Sequence, residues 1–229
     1  MNLDLPLLAL GVLLLWFPRH WMRRGVALLQ RRRRSSKGVE RIAEPWKDRE
    51  PGDPRVNAPV EFLKFRNYLD LFRGLAGSLV IWGGLGIAPA IAVAEGAARG
   101  APWKVLAIQA GITVVGVLIQ SLRLERGRVS FFPPIFFLGG LSVGLCGYRG
   151  AAFAFVAIWV INVALPNSLS FLFVYAVLLT AFGFAFAGIG NLRVILAAVV
   201  TFLPALLSLM AKRPLMIYTR KGSRSPKPV

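Results

Sequence analysis

Apolar residues in this 229-residue chain stand in long blocks separated by polar stretches, instead of recurring at every second or fourth position. A helix needs about 20 mostly apolar residues to cross a hydrocarbon layer of about 30 Å, and the longer blocks meet that length. The pattern therefore predicts an all-α polytopic integral membrane protein with about seven transmembrane helices. The blocks occupy residues 3–17, 74–94, 102–122, 131–148, 151–165, 169–189 and 192–210.

The blocks at residues 131–148 and 151–165 are short for full crossings, and they flank Arg149. Two tilted helices would leave Arg149 at the interface, where its aliphatic stem lets the charge reach water, and a re-entrant hairpin would keep the same odd number of crossings. One continuous helix would instead hold that charge in hydrocarbon, so it is not expected. Because prolines flank the pair of short blocks, Arg149 is the candidate residue for a broken-helix site of the kind found in carriers.

The basic residues are unevenly placed along the chain, which has 28 Lys and Arg against 10 Asp and Glu and a net charge of +18. Fifteen of them lie in residues 19–73, three in residues 123–128 and six in residues 212–227, which leaves four for the other side. Because Lys and Arg accumulate in cytoplasmic segments, the partition predicts an outside N-terminus and a cytoplasmic C-terminus. Arg outnumbers Lys 21 to 7, so we expect a GC-rich bacterial gene and the inner membrane.

Hydropathy and charge together divide the chain into four predicted parts. Residues 1–18 form an N-terminal transmembrane anchor, and residues 19–73 form a basic cytoplasmic segment. Residues 74–210 form a six-helix transmembrane bundle, and residues 211–229 form a basic cytoplasmic tail.

The basic segment begins with a predicted amphipathic helix at residues 19–31, whose apolar arc and basic arc suit the membrane interface. A block of four arginines follows, and residues 35–59 are rich in proline and charge, as in a linker that cannot order itself. Basic residues beside an anionic surface gain about 1 kcal/mol each, so anionic phospholipid headgroups are the predicted partner. The predicted lipid contacts are Arg19, Arg23, Arg24, Arg31, Arg32, Arg33 and Arg34.

Residues 59–73 are predicted as a second amphipathic helix. It would rest on the headgroup layer as an elbow before the second span, or offer a docking groove to a protein partner. Arg66 and Asp70 are spaced i,i+4 on the opposite face, where we expect an exposed ion pair. The predicted apolar stripe consists of Phe62, Phe65, Tyr68, Leu69 and Phe72.

Small residues at four-residue spacing predict where helices approach closely in lipid. They are Gly84, Ala88, Ala92 and Gly96 in the second span, Gly140 and Gly144 in the fourth, and Gly183 and Ala187 in the sixth. Uncharged polar residues inside spans are expected to form interhelical hydrogen bonds. These residues are Gln109, Thr113, Gln120, Asn162 and Thr180.

Motifs for catalysis, cofactors or metals are missing from the sequence. Cys146 is the only cysteine and His20 the only histidine, which excludes an internal disulfide and metal sites built on several imidazoles. The cores of the predicted spans hold no charged residue beyond Arg149, which lies at the break between the two short blocks, so a proton-coupled pump is not favoured. We therefore assign no catalytic, cofactor-binding or metal residue, and nucleic acid is not the expected partner.

Three functions stay open on the sequence alone. The first is a non-catalytic membrane subunit or scaffold that contacts anionic lipid and a protein partner. The second is a carrier or channel for a lipid or a neutral solute, with Arg149 at its broken-helix site. The third is an interfacial lipid-modifying enzyme that uses cytoplasmic residues, among them Arg123, Glu125, Arg126 and Arg128.

Overall fold

A computed structural model describes residues 2–18, 56, 61–94, 101–125, 128–211 and 215. Within these residues the chain forms six helices and two short antiparallel strand pairs. The helices are α1 (Leu5–Trp16), α2 (Phe65–Trp82), α3 (Ala101–Ser121), α4 (Ile135–Ile161), α5 (Ser168–Ala187) and α6 (Leu192–Met210). The strands are β1 (Asn2–Leu3), β2 (Ile91–Ala92), β3 (Leu122–Glu125) and β4 (Arg128–Phe131), paired as β1 with β2 and β3 with β4.

Four helical segments are long and apolar enough to cross a bilayer, which fits an integral membrane protein. Three of them are α3, α5 and α6, and they lie within a residue or two of the predicted blocks. Asn167 and Asn191 cap the starts of α5 and α6, since their side chains accept hydrogen bonds from the amides of Ser170 and Arg193. The fourth segment is residues 135–164, and it is not straight.

Helix α4 reverses direction at Gly147, whose φ of 74° and ψ of 159° are outside the helical range. Its two arms pack side by side, as the distance of 5.5 Å between the ring centroids of Phe136 and Trp159 shows. A straight helix would separate these residues by about 35 Å at 1.5 Å per residue. The arms, residues 135–146 and 148–161, are only about 18 Å and 21 Å long by the same rule. As expected from the sequence, no single straight helix passes through Arg149.

Helix α2 differs from its predicted boundaries at both ends. It runs without a break from Phe65 to Trp82, so the predicted boundary between an elbow helix and a span at residue 73 is wrong. The chain then leaves the helix through Gly83 and Gly84, which have φ values of 77° and 126° that favour glycine. Residues 84–92 therefore form no helical face, and the small-residue face predicted there does not exist.

Glycines let α2 and the first arm of α4 touch backbone to backbone. A Cβ atom at Gly140 would lie 2.6 Å from the Leu75 amide nitrogen, and one at Gly144 would lie 2.7 Å from the Ser78 carbonyl oxygen. Gly74 faces the same arm from α2, with the Phe137 carbonyl against the position of its Cβ. The predicted close approach at Gly140 and Gly144 is confirmed, and its partner is α2.

The elements meet at two ends of the bundle. At the first, called the tip end, the α4 turn at Gly147 lies beside the last turn of α5 and the first turn of α6, and the β1–β2 pair follows α2. At the second, called the base end, the C-terminal residues of α1 contact α2 and α3, and Phe131 bridges to Leu215. Asn2 and Leu215 thus lie at opposite ends. Residues 19–55 and most of 211–229, with the predicted interfacial helix, linker and tail, lie outside the described residues.

Candidate functional site

The inward face of α2 is polar at the base end. Asn67, Asp70 and Arg73 recur at three-residue spacing and are 1%, 2% and 8% exposed. On the opposite face Phe65 is 71% and Phe72 62% exposed, whereas Tyr68 is half-buried with its ring centroid 6.0 Å from that of Phe136. The predicted exposure of Asp70 is therefore wrong, while contact of the exposed aromatic residues with headgroups or with a protein partner stays a prediction. Where lipid surrounds a helix, its polar residues turn towards the protein interior.

An ion pair lies inside this polar face. An Arg73 guanidinium nitrogen (Nη2) is 3.5 Å from Asp70 Oδ1, and both side chains are buried. The other terminal nitrogen of Arg73 (Nη1) donates to the Phe17 carbonyl at 2.7 Å, and the guanidinium lies 5.3 Å from the Phe137 ring centroid. The predicted i,i+4 pairing of Arg66 with Asp70 is replaced by an i,i+3 pairing with Arg73. The expectation that Arg149 is the one ionisable residue in the bundle interior is therefore wrong.

A second group of polar side chains continues the same face towards the start of α2. Lys64 pairs with Glu61, and Asn67 Nδ2 donates to the carbonyl of Glu61 at 2.8 Å and to its carboxylate at 2.6 Å. A cavity of about 10 Å³ lies against these residues, which is about the space of one water molecule. Its lining is Glu61, Asn67, Asp70, Phe132, Pro133, Pro134, Ile135 and Phe136. Two carboxylates thus border one small cavity at the base end.

Side chains close the end of the short helix α1. The last carbonyls of a helix have no partner within the helix and need one elsewhere. Gln120 Nε2 donates to the carbonyls of Leu15 at 3.0 Å and Phe17 at 2.9 Å, and Arg73 also donates to Phe17. Trp16 Nε1 donates to the Ile112 carbonyl at 2.8 Å. The buried cation and amide therefore supply partners for the carbonyls of Leu15 and Phe17 at the end of α1.

Helix α2 ends in the same way at the tip end. Gly83 and Ala90 amides donate to the carbonyls of Leu79 and Val80, both at 2.8 Å. Gln109 Nε2 donates to the Ile81 carbonyl at 2.7 Å, and Arg193 Nη1 donates to the Trp82 carbonyl at 3.2 Å. All four terminal carbonyls of α2 therefore have partners. One glutamine of α3 and one arginine close each of the two helices.

Uncharged polar residues mostly act as predicted. Thr113 Oγ1 accepts from Trp82 Nε1 at 2.9 Å, which joins α3 to α2, and Gln109 and Gln120 bond to neighbouring helices. Asn162 instead donates to the Val56 carbonyl at 2.9 Å, which pins the chain before α2 to the base of the α4 hairpin. Thr180 bonds only within α5, to the Ala176 carbonyl.

Arg149 is exposed at the turn of the α4 hairpin. Its Nε donates to the Tyr148 hydroxyl at 2.9 Å, and its guanidinium lies 5.5 Å from the same ring's centroid. Arg149 is far from the polar face of α2, which lies at the other end of the bundle. The structure therefore keeps Arg149 apart from the buried pair of Asp70 and Arg73, so these charges do not form one site.

The remaining predicted residues are described in part or not at all. The seven arginines predicted to contact lipid, from Arg19 to Arg34, lie outside the described residues. Arg123, Glu125 and Arg128 belong to the strands β3 and β4 at the base end, and Arg126 lies outside the described residues. Of these residues only the strand backbone is described.

The buried ion pair was missed although the sequence held a signal for it. Asn67, Asp70 and Arg73 stand three residues apart and lead into Gly74 and Gly77, so one helical face carries polar groups followed by small ones. Small residues mark the side that contacts another helix. Extending that face back by two turns would have placed Asp70 and Arg73 inside.

Within the described residues, no cluster of His, Cys, Asp or Glu has the arrangement of a metal site. Comparison with protein-family models, with curated proteins and with solved structures gives no match.

Proposed function

We propose that this chain is a non-catalytic integral membrane protein that serves as a subunit or scaffold of a membrane assembly. In this proposal its basic segment contacts anionic phospholipids on the cytoplasmic side, and a second protein binds it in the membrane. The bundle would cross the bilayer an odd number of times, whether the two arms of α4 cross as two short tilted helices, with Arg149 at the interface, or form a re-entrant hairpin. The membrane is the bacterial inner membrane.

The observation that carries the proposal is the contact between α2 and the first arm of α4. Gly74, Gly140 and Gly144 bring the two backbones together along about two turns, so no space for a substrate lies between these two helices there. A carrier of the broken-helix type places its substrate site at this level, between helices that move against one another. Backbone-to-backbone packing instead favours a rigid bundle that functions by contacts of its outer surface with lipid and a protein partner.

Purification from its native membrane in lipid nanodiscs tests the subunit hypothesis. We expect one protein partner at a fixed molar ratio in mass spectrometry, retained after washing at high salt because its contacts are within the membrane. A variant with Arg31, Arg32, Arg33 and Arg34 replaced by Gln serves as the control for charge-driven capture. Purification of the chain alone at native expression level would contradict the proposal.

The predicted orientation has its own test. In the described bundle Arg149, Arg193 and Lys104 lie towards the tip end, while Arg73 and the β3–β4 hairpin lie at the base end. This agrees with a cytoplasmic base end under the positive-inside rule. In a Cys146→Ala background, we expect an impermeant thiol reagent on intact cells to label Asn2→Cys but not Ser225→Cys. Labelling of Ser225→Cys in intact cells would contradict the predicted orientation.

The carrier hypothesis stays as the second candidate because the Glu61 and Asp70 side chains are buried beside a small cavity. Charged residues inside a membrane bundle mark the substrate and ion pathways of many transporters. Solute flux into liposomes that hold the purified protein would favour this alternative, and an Asp70→Asn variant should then reduce the flux.

A further inference from the structure

A cation stands above a surface of stacked phenyl rings at the tip end. Arg149 is followed one turn later, on the same helical face, by Phe153 in the second arm of α4. The Phe153 ring stacks on Phe186 of α5 at 5.4 Å and 13°, and on Phe182 at 5.9 Å and 27°. Phe153 is 54% and Phe186 48% exposed. These three rings, called the phenyl ladder, form a flat apolar surface that begins just below Arg149.

Two glycines make the ladder continuous across the helices. A Cβ atom at Gly150 would lie 3.2 Å from the Gly183 Cα atom, so the second arm of α4 and α5 cross closely there. The rings on either side of this crossing are thereby brought within stacking distance. The turn, the crossing and the ladder are parts of one surface.

The charge of Arg149 has no acidic counterpart in this half of the chain. No Asp or Glu occurs in the sequence after Glu125. Within the described part of the chain, the recorded partner of Arg149 is Tyr148, whose hydroxyl and ring orient the guanidinium without neutralising it. Within the described residues no carboxylate pairs with Arg149, so its charge is open to an anion from outside the chain.

We propose that the Arg149 turn and the phenyl ladder bind one anionic phospholipid of the leaflet at the tip end. The planar guanidinium suits a phosphate, which it can hold with two parallel hydrogen bonds. Below it, the acyl chains lie along the phenyl ladder. A free phosphate would use only the guanidinium, whereas a lipid uses the entire surface. The proposal needs only that the bundle lies in a bilayer, and it does not depend on whether the chain is a scaffold.

Photo-crosslinking of the full-length protein in nanodiscs tests the site. The probe is phosphatidylglycerol with a diazirine in one acyl chain, and mass spectrometry locates the labelled peptides. We expect crosslinks on the peptides that hold Phe153 and Phe186. Arg149→Gln should lower their yield about tenfold at subsaturating probe, because a charge-assisted hydrogen bond is lost. The crosslink yield of Arg149→Lys should lie between those of the wild type and Arg149→Gln. Lysine keeps the positive charge but lacks the planar guanidinium that can form two parallel hydrogen bonds.

The matched control is Lys104→Gln, which removes another exposed cation near the tip end, on α3, away from the phenyl ladder. It should leave the crosslinks on α4 and α5 unchanged. Arg149→Gln should also keep the wild-type midpoint of thermal unfolding, because Arg149 is exposed. The double variant Phe153→Ala with Phe186→Ala tests the phenyl ladder separately from the charge. It should reduce crosslinking by phosphatidylglycerol although Arg149 is unchanged.

Three outcomes would overturn the proposal. The first is an equal yield of these crosslinks in the wild type and in Arg149→Gln. The second is an equal yield from a phosphatidylcholine probe with the same acyl chains. The third is loss of crosslinking in excess inorganic phosphate, which would make the turn a site for a free anion. None of these results bears on the partner found by native purification, so the two proposals fail separately.

Discussion

Gly140→Ala is expected to cost about 3 kcal/mol of stability, although it adds one methyl group. The new Cβ would lie 2.6 Å from the Leu75 amide nitrogen and even nearer the Leu71 carbonyl oxygen. Both obstacles are backbone atoms of α2, so no side chain can rotate to make room. Helix α2 would have to move away from α4, which would also loosen the contacts at Gly74 and Gly144. Thermal unfolding of the purified protein in one detergent measures the change.

Gly111→Ala is the matched control, since Gly111 is also helical and a Cβ there would meet nothing within 4 Å. This substitution should be neutral or slightly stabilising, because alanine favours helix over glycine by about 1 kcal/mol. If both variants unfolded at the wild-type temperature, the close approach of α2 to α4 would be disproved.

Arg73→Met is expected to destabilise the bundle by about 3–5 kcal/mol, because it removes the guanidinium that pairs with the buried Asp70 carboxylate. It also removes a hydrogen bond to the Phe17 carbonyl at the end of α1. Lys104→Met removes the same charge from an exposed position, and its effect should stay within about 0.5 kcal/mol. Midpoints of thermal unfolding at neutral pH give the comparison.

The double variant Asp70→Leu with Arg73→Met separates two effects of Arg73→Met. One is the buried carboxylate left without Arg73, and the other is the lost hydrogen bond from Arg73 to the Phe17 carbonyl. Replacing a whole buried ion pair by apolar side chains is often neutral, so much of the lost stability should return. A double variant that is less stable than Arg73→Met alone would mean that Asp70 acts through groups other than Arg73.

Uninterrupted apolar length was enough to predict α3, α5 and α6. Each is a single block, and the asparagines at residues 167 and 191 mark where α5 and α6 begin. Lipid satisfies the outer surface of such a helix at every position, so hydropathy alone fixes its extent. The hairpin of α4 was also predicted, since a charge at residue 149 had to reach an interface.

Helix α2 could not be predicted in the same way. Helical periodicity separates Phe65 and Phe72 from Asn67, Asp70 and Arg73, but it does not say which face points inward. In water the aromatic face would be buried, and in lipid the polar face is. The segment contains enough charge to suggest water, so both the boundary at residue 73 and the exposure of Asp70 were predicted wrongly.

The polar residues that end α1 and α2 were predicted as hydrogen-bonding groups, but their partners were not. Gln109 and Gln120 were expected to bond to other helices, and they do so through backbone carbonyls. A carbonyl needs a side chain only where its helix stops. Gly83 and Gly84 mark the stop after Trp82 locally, but which side chains reach the last carbonyls depends on tertiary contacts, which no local pattern of residues specifies.

Helix α3 is synthesised after the two helices whose last carbonyls it binds. Gln109 and Gln120, which bond to the ends of the two preceding helices, lie on α3 and leave the ribosome after both of them. While those glutamines are still unmade, the carbonyls of Leu15 and Ile81 can be solvated only by water or by the insertion machinery. The first two helices would therefore wait beside a polar channel until α3 arrives. Release into lipid then becomes a step that three helices take together.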